Sequence, residues 1–211
     1  MRLEMENTII RVLIEEEISE IYQKYFLKDF PPEEQKPLEL ILQRCREKTY
    51  ICYGLFENTT LVAYAFFACG KNHNSILMDY LAVCANQRSK GYGGTFLKKL
   101  TCQMPNNYDG ILFEVESGLT AKSEKELENC KRRMSFYLKN GLHLTKISVS
   151  LYGVDLVVMY LQIKKDRTQE KLYEDLENIY QYLYTKEQRE EKVRIRFNSE
   201  IQLAEELKNL Y

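Results

Sequence analysis

The segment Leu81–Thr95, LAVCANQRSKGYGGT, constrains the fold more than any other part of the chain. An apolar run ends near Val83 and gives way to polar residues, then to glycines at 91, 93 and 94. Beyond them Phe96, Leu97, Leu100 and Met104 share one face of a helix over Thr95–Met104. Glycines allow backbone conformations that other residues resist, and apolar spacings of three and four mark a helix, so the segment reads as strand, tight turn and helix. At such a helix start the N–H groups lack partners and the helix dipole is positive. The two together favour an anion by typically 0.3–1 kcal/mol, and up to about 2 when partly buried. Arg88 and Lys90 add full charges beside it. The physics points to a phosphate or pyrophosphate.

The rest of the chain supplies a setting for this turn. Ile9–Leu13 is a short apolar run, and Glu15–Phe26 has helical spacing that Pro31-Pro32 stops. Pro37 suits the start of a further helix through Lys48. Tyr50–Phe56 and Leu61–Cys69 flank a hairpin turn at residues 57–60, and Ile76–Cys84 leads into the glycine turn. Strand Gly110–Glu116, helix Glu124–Lys139 and the strands His143–Ser150 and Leu156–Ile163 follow. The class is α/β, or α+β: one mixed, mostly antiparallel central sheet covered by helices. All nine glycines, four prolines and six cysteines precede residue 154, whereas 19 of the 46 residues from 166 to 211 are charged. We therefore expect a domain over 1–165 and a charged, helical C-terminal extension over 166–211. Its first apolar stripe is Leu172, Leu176, Ile179 and Leu183, with a weaker one at Leu203, Leu207 and Leu210, and Lys192–Phe197 alternates as a short strand would.

A net charge of −1 and a pI near 6.2 leave no bulk attraction to nucleic acid or an anionic membrane. No apolar run approaches the roughly 18 residues of a membrane span. Residues 1–7 are acidic where a signal peptide is basic, so a cytoplasmic location is expected. The cysteines are scattered without a C-x-x-C pair, and with only His73 and His143 no zinc set assembles; reduced thiols and no metal are expected.

The glycine turn is not a Walker loop, for no Gly-Lys-Ser/Thr follows the spacer, and it lacks the third glycine of a dinucleotide fingerprint. Arg88-Ser89-Lys90-Gly91-Tyr92-Gly93 does match R-x-x-G-x-G after the strand Leu81-Ala82-Val83. That arrangement resembles motif A of the GNAT acetyltransferase superfamily, which holds the pyrophosphate of coenzyme A. Downstream, Phe136-Tyr137-Leu138-Lys139-Asn140-Gly141-Leu142 is similar to the F-Y-x-x-x-G-F ending of motif B. The resemblance covers roughly residues 7–163. Leu142 departs from the usual Phe, Cys130 stands where many members carry a cofactor-touching Asn, and the loop over 118–125 is longer than in compact members. The stretch from Phe113 to Arg132-Arg133 looks most like a group of bacterial members with no settled substrate.

The resemblance implies direct acetyl transfer from acetyl-CoA to a primary amine of a small molecule or peptide. Cofactor contacts would come from Leu81, Ala82, Val83, Arg88, Ser89, Lys90, Gly91, Tyr92, Gly93, Gly94 and Thr95, with the Val83 backbone N–H polarising the thioester carbonyl. Tyr137 would protonate the leaving thiolate, although helical spacing from Leu127, Cys130 and Met134 also puts it on the packed face. The acceptor must be neutral, and at pH 7 about 14% of an α-amine but only about 0.04% of a lysine is. Glu114 occupies the strand position where ribosomal-protein N-terminal acetyltransferases place a glutamate base. Glu116, two residues on, shares that face; the pair would supply a base with a raised pKa, bind a cationic substrate, or form a solvated strand face. His143 reads as a surface or packed residue, His73 as a solvated turn residue, and Cys84 has no activating base.

Two other readings remain at this point. One is a non-catalytic acyl-CoA-binding sensor or interaction module, with the tyrosines at 173, 180, 182 and 184 offering a homodimer surface. The other is a nucleotide-phosphate binder, which explains the glycine turn but not Phe136–Leu142.

Overall fold

The computed structural model describes residues 7–71, 74–103, 108–118 and 121–197. They form an α/β fold with eight strands, mostly antiparallel, divided into two compact units. The first unit takes residues 1–69 and 78–105; the second takes 70–77 and 106–211.

In the first unit β1 (Thr8–Val12) pairs antiparallel with β2 (Tyr50–Glu57), and β2 with β3 (Thr60–Cys69). Glu57 faces Thr60 across a two-residue turn, and Asn58 there has φ +53°, a value asparagine tolerates better than most residues. Between β1 and β2, α1 (Glu15–Ile21) runs through a π-helical turn (Tyr22–Phe26) into the short α2 (Leu27–Asp29). The chain then passes Pro31-Pro32 and enters α3 (Leu38–Arg46), with Pro37 at its N-cap, where a missing N–H costs nothing. The π turn stacks Tyr22 on Phe26, centroids 4.9 Å apart, and Phe26 on Phe66 of β3 at 5.6 Å.

β4 (Ser75–Val83) belongs to the second unit through Ser75–Leu77 and to the first from Met78 onward. Within the first unit, Asp79 binds the ammonium of Lys36 at 2.8 Å and accepts the hydroxyl of the fully buried Tyr50. A part-buried carboxylate with these two donors is satisfied, so it anchors the segment between the N-terminal helices to β4. α4 (Tyr92–Gln103) then buries Phe96, Leu97 and Leu100, as the sequence predicts; Met104 lies outside the described residues.

In the second unit the strand order is β5 (Gly110–Glu116), β7 (Val154–Gln162), β6 (His143–Leu151) and β8 (Val193–Phe197), all paired antiparallel. β6 and β7 meet at Tyr152-Gly153, both with positive φ (51° and 84°), the geometry of a tight hairpin whose twist matches its strands. α5 (Glu124–Lys139) starts at Ser123, whose side chain accepts the Glu126 N–H at 3.2 Å.

Of the segment from residue 166 that the sequence reads as a helical extension, the described part, to residue 197, holds two helices and a strand. α6 (Gln169–Leu183) and α7 (Lys186–Lys192) lead into β8, which spans all but the first residue of the alternating stretch. The stripe Leu172, Leu176, Ile179 and Leu183 is 0–4% exposed, each side chain contributing about 1.5–3 kcal/mol of burial. That face is therefore occupied within the chain. Leu203, Leu207 and Leu210 lie outside the described residues, as does His73. Asp175, also on α6 and wholly buried, accepts from Ser75 Oγ and binds Arg167 at 2.8 Å, and Arg167 reaches Asp109 at 3.2 Å.

Candidate active site

In the first unit the glycine turn is held open by backbone geometry. Ser89 and Gly91 have φ of +64° and +94°, and Gly91 accepts the Thr95 N–H (3.1 Å) and hydroxyl (3.3 Å), which makes it the cap of α4. The N–H groups of Tyr92, Gly93 and Gly94 thus form the first helical turn, where no intrahelical acceptor exists. Gly93 and Gly94 carry no side chain. Tyr92 turns its ring inward to 4% exposure, and its hydroxyl, bonded to Glu57, is pushed up in pKa by that bond and by burial. At Gly93 and Gly94 the turn therefore presents backbone that a pyrophosphate can approach, so these residues fit the diphosphate of coenzyme A.

The charged residues beside it are engaged. Arg88 donates through Nε to the Val83 carbonyl at 3.1 Å and pairs with Asp29 at 2.6 Å, while Lys90 bonds Gln87 at 2.8 Å. The Asp29 side chain is 7% exposed and also accepts from Tyr64 at 2.9 Å, so Arg88 is one of two donors that satisfy a buried carboxylate. At the strand end Leu81 and Val83 are half-buried and Ala82 is buried. Burial pushes the Cys84 thiol up to about 11, which agrees with giving it no nucleophilic role.

In the second unit, the sequence similar to motif B closes as a Schellman turn. Leu142 N–H bonds the Tyr137 carbonyl at 3.2 Å, Gly141 N–H bonds Leu138 at 3.1 Å, and Gly141 has φ +88°. This geometry asks for a glycine followed by an apolar residue. Leu142, 3% exposed, meets that demand as well as the Phe it replaces. Tyr137 is half-buried with its ring 5.2 Å from Phe113 of β5. Burial raises its phenol pKa, only partly offset by Arg133, so the group keeps its proton at neutral pH.

Alternation along β5 puts Glu114 and Glu116 on one face, yet their partners sit on different helices. Glu114 accepts the hydroxyl of Tyr180 on α6. Glu116 pairs with Arg133 on α5 at 3.3 Å and accepts from the Cys130 thiol at 3.3 Å. The thiol is raised in pKa by burial first and by that carboxylate second. His143 is exposed and stands edge-on to Tyr160 at 5.6 Å. Among the described residues no cluster of three His, Cys, Asp or Glu has the spacing of a metal site, and no helix is long and apolar enough to cross a membrane.

Tyr180, Asp175 and Arg167 are the residues that sequence reasoning passes over. A signal existed: Asp175 and Tyr180 fall three and four residues after Leu172 and Leu176, on the apolar stripe itself, where a polar group needs a partner.

No family model matches the sequence, and no curated protein matches it. Solved structures do match its fold. A Bacteroides thetaiotaomicron protein assigned to the GNAT family aligns at TM-score 0.65 with 18% identity, over 83% of this chain and 98% of that one. The ribosomal-protein-S18-alanine N-acetyltransferase of Escherichia coli aligns at 0.55 with 16% identity, over 76% and 96%. A Salmonella typhimurium protein solved with its cofactor acetyl-CoA aligns at 0.53 with 15% identity, over 77% and 98%. The fold is that of the GNAT acetyltransferases.

Proposed function

We propose that the chain is a GNAT-superfamily N-acetyltransferase that moves an acetyl group from acetyl-CoA to a primary amine of a small molecule or peptide. The observation that carries this reading is the first turn of α4, capped by Gly91, with Gly93 and Gly94 bare and the Tyr92 ring turned inward, in a fold shared with acetyltransferases. The acetyltransferase domain is read as 1–165 and the segment from 166 as an extension. Leu81–Val83 and Arg88–Thr95 would serve acetyl-CoA, chiefly through backbone N–H groups at Tyr92, Gly93 and Gly94. As the new N–C bond forms, Glu114 takes the proton that the amine nitrogen sheds. As the C–S bond breaks, Tyr137 gives its proton to sulfur; its raised pKa supports this role. Acetyl-CoA supplies the activated acyl group, and these side chains supply and remove protons around it.

One observation favours a non-catalytic acyl-CoA-binding module instead: both carboxylates of β5 already have partners. Thiol release in the presence of acetyl-CoA and a panel of amines separates the two readings. An amine-dependent release above the hydrolysis background supports the enzyme. Saturable acetyl-CoA binding with no release for peptide α-amines, polyamines or lysine-like amines overturns it in favour of the module.

A further inference from the structure

We propose that Tyr180, a residue of the C-terminal extension, is a positioning residue for the Glu114 carboxylate, so that α6 completes the acid–base machinery of the enzyme. The inference rests on the acetyl-transfer reading for its chemistry, but the contact itself stands apart from it. Glu114 lies in the middle of β5, opposite Val158 of β7, between the buried Phe113 and Val115. Its Oε1 accepts the Tyr180 hydroxyl, and Tyr180 is 1% exposed. A phenol buried to that degree is directed by its surroundings, and those surroundings are rigid. Five residues earlier on the same helix, Asp175 is fully buried on Ser75 and Arg167, and Leu176, Ile179 and Leu183 bury the apolar stripe around it. On the far side the Tyr180 ring stands edge-on to Tyr184 at 5.2 Å. α6 has little freedom to slide, so the hydroxyl holds one carboxylate oxygen in a fixed direction.

A donor aimed at a carboxylate favours its charged form. Glu114 would then stay ionised, and able to accept a proton, at lower pH than the same half-buried carboxylate, opposite Val158, without that donor. In the second unit, ionisable side chains of three elements touch β5. They include Tyr180 on α6, Tyr137, Arg133 and Cys130 on α5, and Tyr160 of β7 over Gly110. Glu116 lies on the strand itself. Of these, Arg133 and Cys130 are directed to Glu116 and Tyr137 packs on Phe113, whereas the Tyr180 hydroxyl donates to Glu114.

The test is a carbon-13 titration of the Glu114 carboxylate in the full chain, wild type against Tyr180→Phe, which keeps the ring and removes the hydroxyl. The expected result is an upward move of the midpoint by about one pH unit, a tenfold change in proton affinity. An unchanged midpoint overturns the proposal whether or not the chain is an enzyme. If Tyr180→Phe does not fold, the wild type carries the test: the Tyr180 ring carbons must shift with the same midpoint as Glu114, and independent titration overturns the coupling. Turnover supplies the second arm. Tyr180→Phe should move the acid limb of kcat upward, with turnover at pH 6 down several-fold, recovery above pH 8 and an unchanged KM for acetyl-CoA. A profile superimposed on the wild type, beside an inactive Glu114→Gln, overturns the role of Tyr180 and leaves acetyl transfer intact. Full turnover in Glu114→Gln overturns the glutamate as base and this inference with it.

Discussion

The glycine turn of the first unit and the carboxylate strand of the second offer their chemistry in opposite ways. At the turn the groups on offer are backbone N–H groups set by local conformation. Around them Lys90 bonds Gln87 and Arg88 the Val83 carbonyl close at hand, whereas side chains that shape the rim, Arg88 to Asp29 and Tyr92 to Glu57, reach further. On β5 the useful groups are side chains, and what prepares them arrives from far along the chain. Tyr180 follows Glu114 by 66 residues, and Asp175 follows Ser75 by 100. A backbone site is built by local conformation and tolerates divergence around it. A side-chain site is only as good as the distant packing that aims it.

The sharpest way to break this contrast is to loosen α6. Asp175→Ala leaves the Arg167 guanidinium, 12% exposed, without its buried partner. Removing one member of such a pair costs about 3–5 kcal/mol, and at roughly 2–4 °C per kcal/mol thermal melting should fall by on the order of 10 °C. A fall within about 2 °C would show that α6 is not anchored there. Next in size is Tyr137→Phe, which should lower kcat by about a hundredfold with acetyl-CoA affinity preserved; unchanged turnover would reduce Tyr137 to packing against Phe113.

Gly94→Asp puts a negative charge into the first turn of α4. Such a charge should stabilise the free chain slightly, by about 0.3–1 kcal/mol, while it repels a pyrophosphate. The expected outcome is an acetyl-CoA Kd raised at least about tenfold, read by calorimetry. Equal affinity would move the ligand away from the turn. The smallest effect belongs to Gly141→Ala. Nothing lies within 4 Å of the added Cβ, so only the left-handed backbone at φ +88° opposes it, at about 1–2 kcal/mol and a few degrees of melting temperature.

The same contrast marks how far the sequence could be read. The strand–turn–helix at Leu81–Gln103 and the hairpin at residues 57–60 are decided by residues within a few positions, and both were legible. The turn at Gly141 was read only through its likeness to motif B, not as a Schellman turn. The stripe Leu172–Leu183 was legible as a buried face, though not what it would face. Glu114 and Glu116 were legible as neighbours on one strand face. Their separate partners were not, because alternation says nothing about which helix packs over a strand end. Arg88 looked like a cation held for a ligand, and its pairing with Asp29, 59 residues earlier, depends on how α2 returns to the turn.

The central claim is that the turn at Gly91–Gly94 takes acetyl-CoA, and melting with and without excess acetyl-CoA tests it most directly, with ATP and NAD as controls. At 100 times its dissociation constant a ligand stabilises by about 2.7 kcal/mol, which for a chain of this size means a rise of roughly 5–11 °C. The account predicts that rise with acetyl-CoA alone. No rise, or an equal rise with ATP, would contradict it.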